Sequence, residues 1–83
     1  MINSLNETIE LMTSSDYKDR FKAEYYQLEY RIEKLEEMIQ NWNKGLLCFT
    51  PTCEKRWYTM QLYAMKQYLE ILKLRAEREN IDL

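Results

Sequence analysis

The chain has 83 residues, of which 46% are hydrophobic and 31% are charged, with one glycine and one proline. This composition suits continuous helices in a single domain over residues 1–83, and it is too apolar for a disordered chain. The net charge of −2 excludes the positive field that drives binding to long nucleic acids. No apolar run approaches the roughly 20 residues that cross a bilayer, and no signal peptide is recognisable, so we expect a cytoplasmic protein without membrane contact.

The first predicted element is a short amphipathic helix over residues 3–12. Leu5, Ile9 and Met12 recur at helical spacing and share one face. The polar run 13–15 then breaks the pattern, so we expect a bend before the next helix.

A long helix is predicted over residues 16–43, where apolar side chains recur at steps of three and four. This spacing is typical of a helix that packs against another helix. Gly45 can supply the left-handed turn after its end, so residues 44–50 are predicted to be a loop. The apolar positions are Tyr17, Phe21, Tyr25, Leu28, Ile32, Leu35, Ile39 and Trp42.

A second long helix is predicted over residues 51–79, with Thr50 as its N-cap and Pro51 at its first position. It carries apolar residues on two faces, and one hairpin partner cannot cover both. We therefore predict an all-α fold, an antiparallel two-helix hairpin with a short N-terminal helix, that assembles into a homo-oligomeric helical bundle. The hairpin face is Tyr58, Leu62, Met65, Leu69, Leu72 and Ala76, and the oligomer face is Trp57, Ala64, Tyr68 and Ile71.

Residues that usually carry catalysis or bind metals are scarce. The chain has no histidine, and its single glycine cannot build a phosphate-cradling loop. Cys48 and Cys53 fill a tetrahedral zinc site only if protomers share the metal, and two free thiols are the simpler interpretation. We expect no enzymatic activity, no catalytic residue, no cofactor and no metal site.

Tyrosine is unusually frequent, with seven in the chain, and several of them stand near basic residues. Tyr26, for example, lies off the main apolar seam of the first long helix. Aromatic rings can stack on a nucleobase while a guanidinium or ammonium group meets a phosphate, which would suit a small nucleotide. The same residue types are also enriched at oligomer interfaces, so both interpretations stay open.

Two helical motifs, with the loop between them, resemble a family of very small phage proteins from crAss-like phages and phages of Gram-positive hosts. The resemblance covers residues 16–83. The motifs are Arg20-x-x-x-Glu24-x-x-x-Leu28-x-x-Arg31-x-x-Lys34-Leu35, the loop Phe49-Thr50-Pro51-Thr52-Cys53, and Gln61-x-x-Ala64-Met65-x-x-Tyr68-Leu69-x-Ile71-Leu72-x-x-Arg75.

That family is similar to the anti-CBASS sponge proteins, small helical phage proteins that sequester cyclic oligonucleotide immune signals without cleaving them. The resemblance implies a counter-defence sponge in the infected bacterial host cell, with a cyclic dinucleotide or related signal held between subunits. The resemblance matches Tyr17 to a tyrosine that stacks on a base, and Arg20, Arg31 or Lys34 to a basic residue that meets a phosphate. The predicted ligand-binding residues are these four and Tyr26, which lies off the seam. The alternative is a small helical adaptor that inhibits a host defence protein through its tyrosine-rich face.

Overall fold

The computed structural model describes all residues, Met1–Leu83, and contains helices and no strands. A 3-10 turn at Leu5–Thr8 leads into the short helix α1, Ile9–Met12, and two long helices follow, α2 at Tyr17–Asn43 and α3 at Lys55–Arg78. The all-helical fold class is confirmed, and the packing of α2 on α3 fits the predicted hairpin. Assembly into a homo-oligomer stays a prediction. No helix is both long enough and apolar enough to cross a membrane.

The N-terminal segment packs on α2, where Gln27 donates hydrogen bonds to a buried threonine hydroxyl and to the Met12 sulfur. Glu7 accepts hydrogen bonds from the backbone of Asn3 (2.6 Å) and Ser4 (2.9 Å), which fixes the start of the 3-10 turn. Thr8 is fully buried, and its hydroxyl donates to the Leu5 carbonyl at 2.7 Å and accepts from the Gln27 amide at 2.8 Å. Both hydrogen-bonding capacities of this hydroxyl are used, so its burial carries no penalty for an unmade bond.

The core lies between α2 and α3, where the predicted apolar seam meets the predicted hairpin face. All six residues of the hairpin face are buried or half-buried, as are the middle positions of the seam. Ile81 follows α3 and packs back on the same core, with its amide donating to the Ala76 carbonyl at 2.8 Å. Tyr17 is the exception, because it lies at the open end of the hairpin and is 47% exposed. The core is Phe21, Tyr25, Leu28, Ile32, Leu72, Ala76 and Ile81.

The second long helix begins at Lys55, so its predicted start at Pro51 with Thr50 as the N-cap is wrong. The N-cap residue is Glu54, which has an extended backbone, and its carbonyl accepts the first helical bond from Trp57 at 3.1 Å. Thr52 and Cys53, the residues after the proline, are poor helix formers. The helix therefore begins at the stronger helix formers that follow, from Lys55 onward. The connection between the long helices is correspondingly longer than the predicted 44–50.

Gly45 ends the first long helix with a left-handed backbone, φ +71°. An added Cβ would meet nothing within 4 Å, so the effect of a side chain there comes from the backbone alone. We expect Gly45→Ala to lower the free energy of unfolding by about 1 kcal/mol, as measured by urea titration.

The matched control for this change is Asn80→Gly, at the other residue with a positive φ, 57°. Asparagine tolerates this region and glycine adopts it freely, so the control should change stability by less than about 0.5 kcal/mol. Equal stabilities for Gly45→Ala and the wild type would show that the turn at Gly45 rearranges without cost.

Candidate functional site

An open groove lies between the N-terminal segment, α2 and α3. Its volume is about 380 Å³, within the range of small-molecule sites. Its floor is apolar, and its polar groups stand at the edge, which is the usual division between surface that binds and groups that orient a ligand. The groove is lined by Leu5, Tyr30, Arg31, Lys34, Leu35, Met38, Gln61 and Met65.

Helical spacing on α2 places an aromatic ring and two cations at the groove. Tyr30 lies four residues before Lys34 and Arg31 lies three residues before it, so each of them neighbours Lys34 on the helix surface. The Lys34 ammonium lies 5.4 Å from the centre of the Tyr30 ring and 3.9 Å from a Glu37 carboxylate oxygen. Arg31 is exposed and takes part in none of the ion pairs. A guanidinium without an internal partner is available to an anion.

On the opposite flank of the hairpin, one ion pair joins the two long helices. The Lys66 ammonium lies 2.8 Å from a Glu36 carboxylate oxygen and joins α3 to α2. Lys73 lies further along the same flank and contacts Glu70 at 3.3 Å, and this hydrogen bond raises the pKa of Lys73. The two flanks therefore differ. One is spanned by an ion pair, and the other carries Arg31, a cation without an ion-pair partner, beside apolar surface.

The structure brings together only two of the five predicted ligand-binding residues, Arg31 and Lys34. At about 1.5 Å of rise per residue, Tyr17 and Lys34 are roughly 25 Å apart along α2. Arg20 donates to the Ser14 carbonyl at 2.9 Å and stabilises the bend before α2. Tyr26 packs edge-on against Tyr25, with ring centres 5.6 Å apart. Binding roles for these three residues stay predictions, and one chain cannot join all five in a single small site.

Tyr17 belongs to a polar cluster that joins the two helix ends. Its hydroxyl donates to a Glu79 carboxylate oxygen at 2.7 Å and accepts from the Arg75 guanidinium at 3.1 Å. The Arg75 guanidinium also lies 5.1 Å from the centre of the Phe21 ring and its Nε is 3.4 Å from Glu79. The hydroxyl of Tyr17 thus has internal partners, while its ring stays half exposed.

Stability is expected to fall in alkaline solution because two tyrosines have a raised pKa. The hydrogen bond to Glu79 raises the pKa of Tyr17, and burial, then the Glu29 carboxylate, raises the pKa of Tyr25. A raised folded-state pKa gives stability that is complete below the unfolded value of about 10 and is lost as pH rises through the folded value.

The urea midpoint should therefore decline from about pH 10 upward, with tyrosine ionisation followed by ultraviolet absorbance in parallel. Tyr17→Phe removes one titrating group and should make the decline shallower. A midpoint that stays constant through tyrosine ionisation would contradict the two raised pKa values.

Sequence reasoning missed most of the groove wall. Tyr30 was predictable from the sequence, because it lies off the main seam, next to Arg31 and one helical turn before Lys34. Both of these residues are predicted to bind phosphate. Met65 was correctly placed on the hairpin face, but it also reaches the groove. Leu5 and Gln61 come from elements distant in sequence, and only the docking of the N-terminal segment brings them together.

These features define a small all-helical protein with an apolar, cation-edged groove on one flank of a hairpin. A family model named Sequestin matches residues 15–78, and the chain belongs to the Sequestin family. The family name indicates a sequestering function, which agrees with the sponge-like class that the resemblance implied. No curated protein and no solved structure matches the chain.

Proposed function

We propose that this protein is a phage counter-defence sponge that sequesters a cyclic oligonucleotide or related nucleotide signal in the cytoplasm of the infected bacterial cell. The observation that carries the proposal is the groove itself, where the unpaired Arg31 and the exposed Lys34 stand at the edge of apolar surface. A nucleotide combines a flat apolar base with an anionic phosphate, and the groove offers complementary groups to both. Membership of a sequestering family supports the same function.

Each wall of the groove has a distinct role in this proposal. The Tyr30 ring and the methionine side chains of the floor take the base, with stacking on an aromatic ring contributing about 1 to 3 kcal/mol. Arg31 binds a phosphate through its planar fork of donors, and Lys34 adds a more mobile point charge. Sequestration is complete once the ligand is bound, so the signal stays intact and is recovered unchanged.

A thermal-shift screen tests the proposal, with purified protein and a panel of cyclic di- and trinucleotides and cyclic ADP-ribose isomers. A ligand at 100 times its Kd adds about 2.7 kcal/mol of stability, which is a large shift for a domain of this size. Chromatography of the released ligand should recover the intact molecule. A linearised or otherwise altered product would contradict the sponge, and the absence of any shift across the panel would contradict nucleotide binding.

The second candidate function is an adaptor that binds a host defence protein. It is favoured by the exposed aromatic side chains on the outer face of α3, among which Trp57, Tyr63 and Tyr68 are 53%, 67% and 42% exposed. Such rings are typical anchors of protein interfaces. Capture of a defence protein from host lysate that survives charge reversal at Arg31 and Lys34 would support this function over the sponge.

A further inference from the structure

The N-terminal segment, residues 3–12, packs on α2 through a face that differs from the predicted one. Periodicity predicts Leu5, Ile9 and Met12 as this face, but Ile9 and Met12 are 50% and 48% exposed. Burial is instead greatest at Thr8, and Leu5 and Leu11, three residues to either side of it, are half-buried. Thr8 is the one buried residue of the segment and it is polar, so burial of apolar surface contributes little to this packing.

A chain of hydrogen bonds runs from α2 through Thr8 to the groove. The side-chain amide of Gln27 has two hydrogens, and its nitrogen lies 2.8 Å from the Thr8 hydroxyl oxygen and 3.5 Å from the Met12 sulfur. The Thr8 hydroxyl in turn donates to the Leu5 carbonyl at 2.7 Å. Leu5 lines the groove, whereas Gln27 does not. Gln27 therefore fixes a groove residue indirectly, through Thr8.

The two hydrogen bonds from Gln27 are the polar contacts that join residues 3–12 to α2. The hydrogen bonds at the start of the segment are local, because the Asn3 and Ser4 amides donate to the Glu7 carboxylate. No salt bridge reaches the segment. Loss of the Gln27 contact would therefore leave the groove end of the segment without a polar tie to the hairpin.

The bend between the segment and α2 is held by separate contacts. The Arg20 guanidinium donates to the Ser14 carbonyl at 2.9 Å, and the Ser14 hydroxyl donates to the Asp19 carboxylate at 2.8 Å. The same hydroxyl accepts from the Asp16 amide at 3.0 Å. No residue of the segment belongs to the hairpin core. The segment can therefore open about a fixed bend while the hairpin stays folded.

We propose that Gln27 is a positioning residue that, through Thr8, holds the N-terminal segment closed over the groove, and that the segment opens as a unit when the ligand leaves. In the closed state Leu5 lies against the ligand and slows its dissociation. In the open state Leu5 leaves the groove, while the walls formed by α2 and α3 stay in place. Opening is a property of the chain without ligand, and its effect on retention rests on the proposed function.

Hydrogen exchange followed by mass spectrometry tests the opening without ligand. Thr8→Val keeps the side-chain volume but leaves the Gln27 amide without its oxygen partner, so amide protection over residues 8–14 should fall about tenfold. Thr8→Ser keeps the hydroxyl and should retain the protection. Amides of α2 and α3 should stay equally protected in both variants, because the core is unchanged.

The matched control is Thr13→Val. The Thr13 hydroxyl donates to the Ile9 carbonyl at 2.8 Å, but it is exposed and makes no hydrogen bond to α2, so segment protection should stay within about twofold of the wild type. Gln27→Leu removes the donor from the other side of the contact and should reproduce the effect of Thr8→Val. Unchanged segment protection in both Thr8→Val and Gln27→Leu, or an equal loss throughout α2 and α3, would overturn the proposal.

Dissociation rates test retention, with cyclic di-AMP, cyclic di-GMP and cyclic ADP-ribose as probes. For a probe that binds the wild type, surface plasmon resonance should show about tenfold faster dissociation from Thr8→Val and from Leu5→Ala, with association changed by less than about threefold. Thr8→Ser and Thr13→Val should keep the wild-type rates. Unchanged dissociation from Thr8→Val would overturn the retention role. If no probe binds the wild type, capture of these signals and the retention role fail together, whereas opening of the segment is decided by hydrogen exchange.

Discussion

Reversing the two groove cations together, Arg31→Glu with Lys34→Glu, should weaken capture of the nucleotide signal at least about hundredfold. Hydrogen bonds to charged groups contribute about 1.5 to 3 kcal/mol each, and every 1.4 kcal/mol is a factor of ten in affinity. Two such losses give the hundredfold estimate before the added repulsion between carboxylate and phosphate is counted. Isothermal titration calorimetry with the ligand found in the nucleotide screen measures the change directly.

The hairpin should survive this double reversal. Arg31 holds no internal ion pair, and Lys34 has only the exposed contact to Glu37, a kind of pair that contributes little. The matched control is Lys22→Glu with Lys44→Glu, which changes net charge equally at two cations that form no ion pairs and do not line the groove. Equal losses in both double variants would point to the overall field of the protein, and full affinity in the groove variant would remove the groove from the binding site.

Leu72→Ala should lower the free energy of unfolding by about 2 to 5 kcal/mol, the largest stability effect of any substitution considered. Leu72 is 0% exposed and lies in the middle of the core between α2 and α3. Removal of its branched end loses buried apolar contacts and leaves a cavity that helices on both sides cannot fully close.

Urea titration of the wild type and Leu72→Ala at one protein concentration measures this loss. Leu46→Ala makes the same chemical change at a loop residue that is 67% exposed, and it should cost less than about 0.5 kcal/mol. Similar losses at the two positions would mean that the hairpin core does not dominate stability.

Periodicity alone was enough to predict the hairpin. Phe21, Tyr25, Leu28 and Ile32 recur at steps that only a helix brings to one face, and all four are buried. Helix starts were harder, because Pro51 is compatible with the first position of a helix but does not nucleate one. Tyr17 continues the seam in sequence, yet Arg75 in the last turn of α3 and Glu79 just after it lie opposite Tyr17, so its environment is polar.

The candidate site was only partly predictable, for a physical reason. Arg31 and Lys34 share a helix strip, and that local relation is readable from spacing. The walls outside α2 come from the 3-10 turn and from α3, and their positions depend on how three elements dock. Spacing within one helix contains no information about that docking, which explains the absence of Leu5 and Gln61 from the prediction.

The N-terminal segment that contains the buried Thr8 forms one wall of the groove, and the sequence of this wall can change while the hairpin stays the same. Leu5 belongs to a segment that precedes the matched family range of residues 15–78, and Gln27 ties that segment to α2 by donating to the buried Thr8 hydroxyl at 2.8 Å and to the Met12 sulfur at 3.5 Å. The hairpin core does not depend on Leu5 for its packing. Selectivity can therefore diverge, in nature or by design, through a few N-terminal residues that reshape the opening while the hairpin stays constant.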